Sequence, residues 1–268
     1  MSRRLAVVAA VLAGLLPGHV PGAAAMTSTP MQVSADGAVH QAGLLELPQG
    51  ARFADAVLAA LPRRDAYVAG ASVFREQLRA AQVRERAGLL HDLQALAADV
   101  DASPALAARA RILHLWVDSL PASGREPIEG DARRLEAGRG DSNRLLADGD
   151  RFYFPERPST VNVVGAVQQP CALPHVPARN AADYLASCPV EAATAQPDIL
   201  YVIQPDGAVQ ELGIATWNRS PPQALAPGAI IYVPLRNKAV EATALELNAA
   251  MTRFLATLPL PHTWQVNP

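Results

Sequence analysis

Cys171 and Cys188 are the only cysteines of the chain, and they leave open a structural disulfide, free thiols or a redox pair. A redox pair prefers C-x-x-C spacing, which these two lack. The expected state is a disulfide, closing a loop of about 17 residues and worth about 3 kcal/mol in the chain-entropy model. Metal chemistry would need histidines on one face. His40, His91, His114, His175 and His262 contain no pair at i, i+3 or i+4, the spacings that bring two side chains to one side of a helix. His91 and His114 fall on neighbouring helical segments, where packed helix residues are the plainer reading. General acid–base chemistry would need paired carboxylates. Asp99/Asp101 and Asp148/Asp150 are the candidates, and both flank turns, where Asp serves by bonding nearby backbone. Sugar binding would use exposed rings for stacking. Of Trp116, Trp217 and Trp264, Trp217 lies in the most loop-like segment and Trp116 in a helical one.

Catalytic signatures are missing from the sequence: no G-x-S-x-G elbow, no H-E-x-x-H, no Walker loop, and no G-x-G-x-x-G opening a helix. No catalytic residue, cofactor or metal site is expected. The first residues read as an export signal, with Arg3 and Arg4 ahead of the apolar run Leu5 to Leu16, then Ala23-Ala24-Ala25 as a cleavage site. The run is about 12 residues, short of the roughly 20 that span a bilayer. Cleavage after about Ala25 is expected, the alternative being a retained N-terminal anchor. No cysteine adjoins the site to carry a lipid. A single lysine among many arginines and alanines suggests a GC-rich bacterium, so the expected compartment is the periplasm. Without Arg3 and Arg4 the chain has 21 basic against 25 acidic residues, about −4 in net charge. That argues against nucleic acid or an anionic membrane surface, which select clustered positive charge.

The elements that would position these residues are organised by a repeat. Leu145-Leu146-Ala147-Asp148-Gly149-Asp150-Arg151-Phe152-Tyr153-Phe154-Pro155 returns as Ala224-Leu225-Ala226-Pro227-Gly228-Ala229-Ile230-Ile231-Tyr232-Val233-Pro234. Each copy reads as a turn around Gly, a short strand, and a Pro that cannot continue the ladder. Before the first copy, Asp36-Gly37 suggests a hairpin between Met31–Val33 and Val39–Leu47. Phe53, Val57 and Leu61 recur at helical spacing, and Tyr67 to Gly70 looks strand-like. Strand, strand, helix, strand is the order of a β-grasp core. Leu78, Leu89, Leu93, Leu96 and Val100 then form one helical stripe. A second helix starts at Ser103-Pro104 and carries Leu106, Ala110, Leu113, Val117 and Leu120. Residues 121–143 read as a polar excursion. A second unit repeats the strand–helix–strand order from Val161 to the second phrase copy. Val240, Leu247, Met251, Phe254 and Leu258 then mark a C-terminal amphipathic helix, which either covers its own domain or meets a partner.

The order of these parts resembles a known family. Val161-x-Val163-x-Gly165-Ala166-Val167-x-x-Pro170, a short helix and the closing phrase resemble an SLBB-type β-grasp repeat. So does Tyr67 to Arg75, followed by a helical insertion. The whole layout is similar to the GfcC-like capsule biosynthesis family, and its domains resemble the periplasmic rings of the Wza-type outer-membrane export channel. The resemblance implies an α+β fold of two tandem β-grasp domains. Their expected spans are 26–157, with a helical-hairpin insertion at about 72–120, and 158–236, followed by a helix and tail at 237–268. It also implies a non-enzymatic accessory protein of capsule or exopolysaccharide production or export, whose partner is surface polysaccharide or the outer-membrane export machinery. A glycan-modifying enzyme, or an assembly factor that binds no sugar, are the alternatives. Trp217, Val240, Leu247, Met251 and Phe254 are the candidate glycan or partner contacts. Ala229 departs from the pattern, which has Asp there as in the chain's own Asp150, and Cys171 stands where Gly commonly follows the Pro.

Overall fold

The computed structural model describes residues 29–138 and 142–261. The expected export signal, His262 and Trp264 lie outside the described residues. In chain order the first unit contains β1 (Met31–Gly37), β2 (Gly43–Leu47), α1 (Phe53–Ala60), β3 (Ser72–Phe74), α2 (Glu76–Ala98), α3 (Pro104–Ser119), β4 (Arg125–Pro127), α4 (Ala132–Ala137) and β5 (Arg151–Phe154). The second contains β6 (Thr160–Gly165), β7 (Cys171–Pro174), α5 (Ala181–Leu185), β8 (Ile199–Ile203), β9 (Val209–Gly213) and β10 (Ile230–Val233), followed by α6 (Asn237–Val240) and α7 (Leu247–Ala256). Each unit holds a five-stranded sheet, in the orders β2-β1-β5-β3-β4 and β7-β6-β10-β8-β9. These are the same order, so the α+β fold of two tandem sheets stands as the sequence implies.

The repeat holds at the level of single hydrogen bonds. The first strand of each unit lies parallel to its last and ends on a glycine of positive φ, Gly37 at 85° and Gly165 at 102°. A Cβ on either would meet a carbonyl oxygen of the neighbouring strand, Phe154 or Val233, at 2.2 Å, so only glycine fits. The next amides, Ala38 and Ala166, donate to those same carbonyls at 2.7 and 2.8 Å. Gly149 and Gly228 of the phrase turns donate to Gln32 and Thr160 at 2.8 and 2.7 Å. Alternation then sorts the side chains. Met31, Val33, Ala35, Val73, Phe152 and Phe154 face α1 and form one core, while Val161, Val163, Leu200, Val202, Ile231 and Val233 face α5 and Tyr184 in the other.

The helical hairpin leaves the first sheet between β3 and β4, yet its apolar stripe packs with the second unit. Leu89, Leu93 and Leu96 of α2 and Leu106, Leu113, Trp116 and Val117 of α3 belong to the core cluster that holds β6, β8, β10 and α7. Helix α7 is sandwiched, lying against β8 and β9 on one side and α2 on the other. Ion pairs Glu85–Arg253 and Arg109–Glu191 tie the hairpin to the second unit, and Thr243 donates to Asp99 in the hairpin turn. Ser103 caps α3 through Leu106 N–H, with Pro104 in its first turn, as its sequence implies.

Four local expectations are corrected. Asp36-Gly37 is not a hairpin turn, because β1 runs through it and the reversal takes the next five residues. Tyr67 to Gly70 is not a strand. Val68–Gly70 forms a 3₁₀ turn and β3 follows, with the Tyr67 amide bonded to Pro155 O. The excursion at 121–143 contains β4 and α4, the latter capped by Asp131. The C-terminal helix is broken into α6 and α7, with the Asp99–Thr243 bond at the break, so a tertiary anchor overrides the 3.6-residue period.

Candidate functional site

Of the sequence candidates for acid chemistry, Asp99, Asp148 and Asp150 hold structural posts, and Asp101 is exposed. Asp150, 2 % exposed, accepts both Arg75 Nε and Nη2 at 3.0 and 2.7 Å and the Ala147 amide at 2.9 Å. Arg75 also donates to Leu145 O at 3.0 Å and stacks over Phe53, 4.8 Å from its ring centre. In the second unit the same two backbone groups recur as Ala226 N–H and Ala224 O. Gln204, in the place of Arg75, accepts from the first at 3.1 Å and donates to the second at 3.0 Å. One neutral amide does there what an ion pair does in the first copy, which is why Ala229 can stand where Asp150 stands. Asp148 accepts the Gln32 amide at 2.8 Å. Asp99 is held by Thr243 and by the Asp101 amide, and those hydrogen bonds lower its pKa.

Cys171 and Cys188 are bonded, with Cα atoms 6.0 Å apart, pinning β7 to the end of α5. No group of three or more His, Cys, Asp or Glu side chains arranged to hold a metal exists among the described residues. His91 is exposed and His114 partly so. His114 lines a shallow surface groove with Gln94, Arg111 and Leu115. No described helix is long and apolar enough to cross a membrane.

The candidate contact residues divide sharply. Trp217 is 76 % exposed, on a loop that is itself tied down. Asn218 accepts the Ala215 amide at 3.1 Å and donates to Asp198 O at 2.9 Å, while Ser220 accepts the Gly213 amide at 2.9 Å. Val240, Leu247, Met251 and Phe254 are at most 1 % exposed and face the chain's own core, so the structure offers none of them to a partner. Asn248 fixes that arrangement, accepting from Tyr232 Oη at 2.9 Å and the Leu235 amide at 3.1 Å and donating to Leu235 O at 2.9 Å.

Where the two units meet, the structure places a buried cation that periodicity does not reveal. Arg125, at the edge of the first sheet, is 3 % exposed. It donates to Pro205 O in the β8–β9 turn at 2.7 Å and to Ala256 O at the end of α7 at 3.1 Å, and its Nε has no partner among the described residues. Desolvation pulls its pKa down to about 10, against the pull of Asp206, so it stays charged at neutral pH. Gln82 of α2 holds the same strand, donating to Arg125 O at 2.8 Å and accepting from the Gly124 amide at 2.7 Å. Arg125 therefore joins first sheet, second sheet and α7 at one point. The only sequence signal was an arginine in a segment read as polar.

Beside this junction the outward face of the first sheet stays open as a groove of about 210 Å³, lined by Asp36, Phe74, Arg151, Tyr153 and the tail residues Pro259 and Leu260, with Phe152 beneath. The corresponding positions in the second sheet, Val164, Ile203, Ile230 and Tyr232, are at most 2 % exposed on the face packed under α7.

A family and a relative match this chain. The family described as "Capsule biosynthesis GfcC C-terminal" matches residues 169–258, most of the second unit and α7. The uncharacterized protein YjbG of Escherichia coli (strain K12) is 32 % identical over 187 residues, 69 % of this chain and 74 % of that relative. With that identity spread over most of both chains, and the paired sheets the sequence pattern called for, this chain belongs to the GfcC-like capsule biosynthesis family.

Proposed function

We propose that the chain is a non-enzymatic periplasmic accessory protein of capsule or exopolysaccharide production or export, acting by contact with glycan or with the outer-membrane export machinery. The observation that carries this reading is the family match itself, which runs from β7 through α7. Two features support it. Three of the four carboxylates considered for acid catalysis, Asp99, Asp148 and Asp150, are engaged as a turn bond, a cap or an ion-pair partner. The disulfide suits an oxidising compartment such as the periplasm. With the apolar face of α7 turned inward, contact falls to the exposed surfaces, and Trp217 on its tied loop is one of them.

The test is deletion of the gene in the native bacterium, with surface polysaccharide and the intracellular and periplasmic pools quantified together. Loss at the surface with internal build-up is the expected result. Unchanged amount and location, or surface glycan of altered composition, overturns the reading, the last in favour of a modifying enzyme.

A further inference from the structure

The open face of the first sheet carries a charge pattern that its own fold leaves unused. Asp36 and Tyr153 are neighbours across β1 and β5, and Arg151 and Phe74 are neighbours across β5 and β3. The two rows lie two residues apart along β5, about 7 Å at the usual strand rise. Arg151 stacks over the Phe74 ring, 4.8 Å from its centre, and no carboxylate lies within ion-pair distance of it among the described residues. Asp36 spends one carboxylate oxygen on the Gly37 amide at 2.7 Å, and the other has no hydrogen bond among the described residues. Its position is fixed by the glycine that must follow it, since a Cβ there would strike Phe154 O. The wall opposite is the tail, Pro259 and Leu260.

We propose that this groove is a binding subsite for one acidic sugar residue, a hexuronate, of the polysaccharide that the proposed function assigns to the protein. The Arg151 guanidinium offers the planar fork that matches a carboxylate with two parallel hydrogen bonds. Asp36 accepts from hydroxyl groups at the far end of the ring, and the Tyr153 ring takes the apolar face of the sugar. The row spacing of about 7 Å keeps the sugar carboxylate next to Arg151 and away from Asp36. A simple anion would gain Arg151 but bring no hydroxyl donors to Asp36. A neutral sugar would leave the Arg151 fork without its match. At about 210 Å³ the space holds a single ring, below the roughly 300 Å³ at which pockets for larger ligands begin. The second sheet lacks such a site because Val164, Ile203 and Ile230 fill the same places and α7 lies over them.

This inference rests on the glycan-contact reading, and its test separates the two. The purified chain is titrated with the methyl glycosides of glucuronate and galacturonate and of their neutral parents, followed by amide chemical shifts. At least one uronide is expected to shift the Asp36, Gly37, Arg151 and Tyr153 amides, and to bind about tenfold or more tightly than its neutral parent, the worth of a charge-assisted pair. Arg151→Gln, at an exposed position that leaves the fold intact, should erase that preference. No uronide binding, equal binding of neutral and acidic sugars, or an unchanged preference in Arg151→Gln overturns the subsite. In each of those cases the deletion strain still decides the wider function. Uronide binding in the groove together with an unaltered surface glycan in that strain supports the subsite and overturns the wider reading.

Discussion

The two sheets share strand order, turn glycines and the parallel first-to-last pairing, and two of their differences are instructive. Between its third and fourth strands the second sheet has only the turn that ends with Gly207 donating to Gln204 O at 2.9 Å. At the same place the first sheet extends a 23-residue and a 16-residue helix. The hairpin is built from the first unit's chain and packs with the second unit's core, so it works as a brace that traps α7 between itself and the second sheet. The other difference is the cap under the repeated phrase, an Arg75–Asp150 pair in one copy and Gln204 in the other. A repeat can thus keep its backbone while its side chains solve the same problem with charge or without it. The outward faces follow: one is apolar and covered, the other charged and open.

The cap gives the largest expected effect. Removing one partner of a buried pair strands the other, and Asp150→Ala should cost about 3–5 kcal/mol in chemical denaturation. The double variant Arg75→Gln/Asp150→Ala rebuilds the second copy's solution in the first and should recover most of that loss, short of the Phe53 stacking. If the double variant is no more stable than Asp150→Ala, the two caps are not equivalent. Next in size is the disulfide, which only the second unit has. Cys171→Ser/Cys188→Ser should lose about 3 kcal/mol. Hydrogen exchange at the Tyr201 and Tyr232 amides should rise before that at Phe152. Equal rises in both sheets would mean that the hairpin welds the units into one cooperative block.

Tyrosines sharpen the comparison at high pH. An unfolded tyrosine ionises near pH 10, whereas burial holds the Tyr232 phenol protonated far above that, with Tyr201 reinforcing the effect. The stability this represents is whole below pH 10. It falls as pH rises further, because the unfolded state releases a proton that the folded state keeps. Tyr232→Phe should cost about 1 kcal/mol at pH 7 through the lost bond to Asn248. Above pH 10 it should flatten the decline by up to about 1.4 kcal/mol per pH unit. Its counterpart Tyr153 stands on the open face, and Tyr153→Phe should stay within about 0.5 kcal/mol at pH 7. Melts at pH 7, 9 and 10.5 on both variants decide the matter.

What could be read from sequence followed local rules. The repeated phrase, the Ser103-Pro104 start and the disulfide each depend on neighbours in the chain or on the lack of other choices. Sheet order became legible through the family resemblance, which sums many weak local signals. The rest was hidden because it joins residues far apart in sequence. Nothing near Arg125 announces a buried cation, since its acceptors are the carbonyls of Pro205 and Ala256. The α2 stripe says that a face is covered and cannot say by which domain. Asp36, Phe74, Arg151 and Tyr153 come from three strands, and only the pairing register sets them side by side.

Trp217 gives the smallest effect on stability and the clearest separation of roles. A ring that is 76 % exposed contributes little packing, so Trp217→Ala should change stability by no more than about 0.5 kcal/mol. If the ring is a contact for glycan or partner, the same variant should still lower surface polysaccharide when it replaces the native gene. Asn218→Ala leaves the ring and cuts the side-chain bonds to Ala215 N–H and Asp198 O, letting the loop move. Lowered polysaccharide in both variants, with both proteins folded at native levels, means that the ring works because its loop holds it still. An effect of Asn218→Ala alone would assign the role to the loop backbone and remove Trp217 from the contact surface. Native output in both would leave the open face of the first sheet to carry the contact by itself.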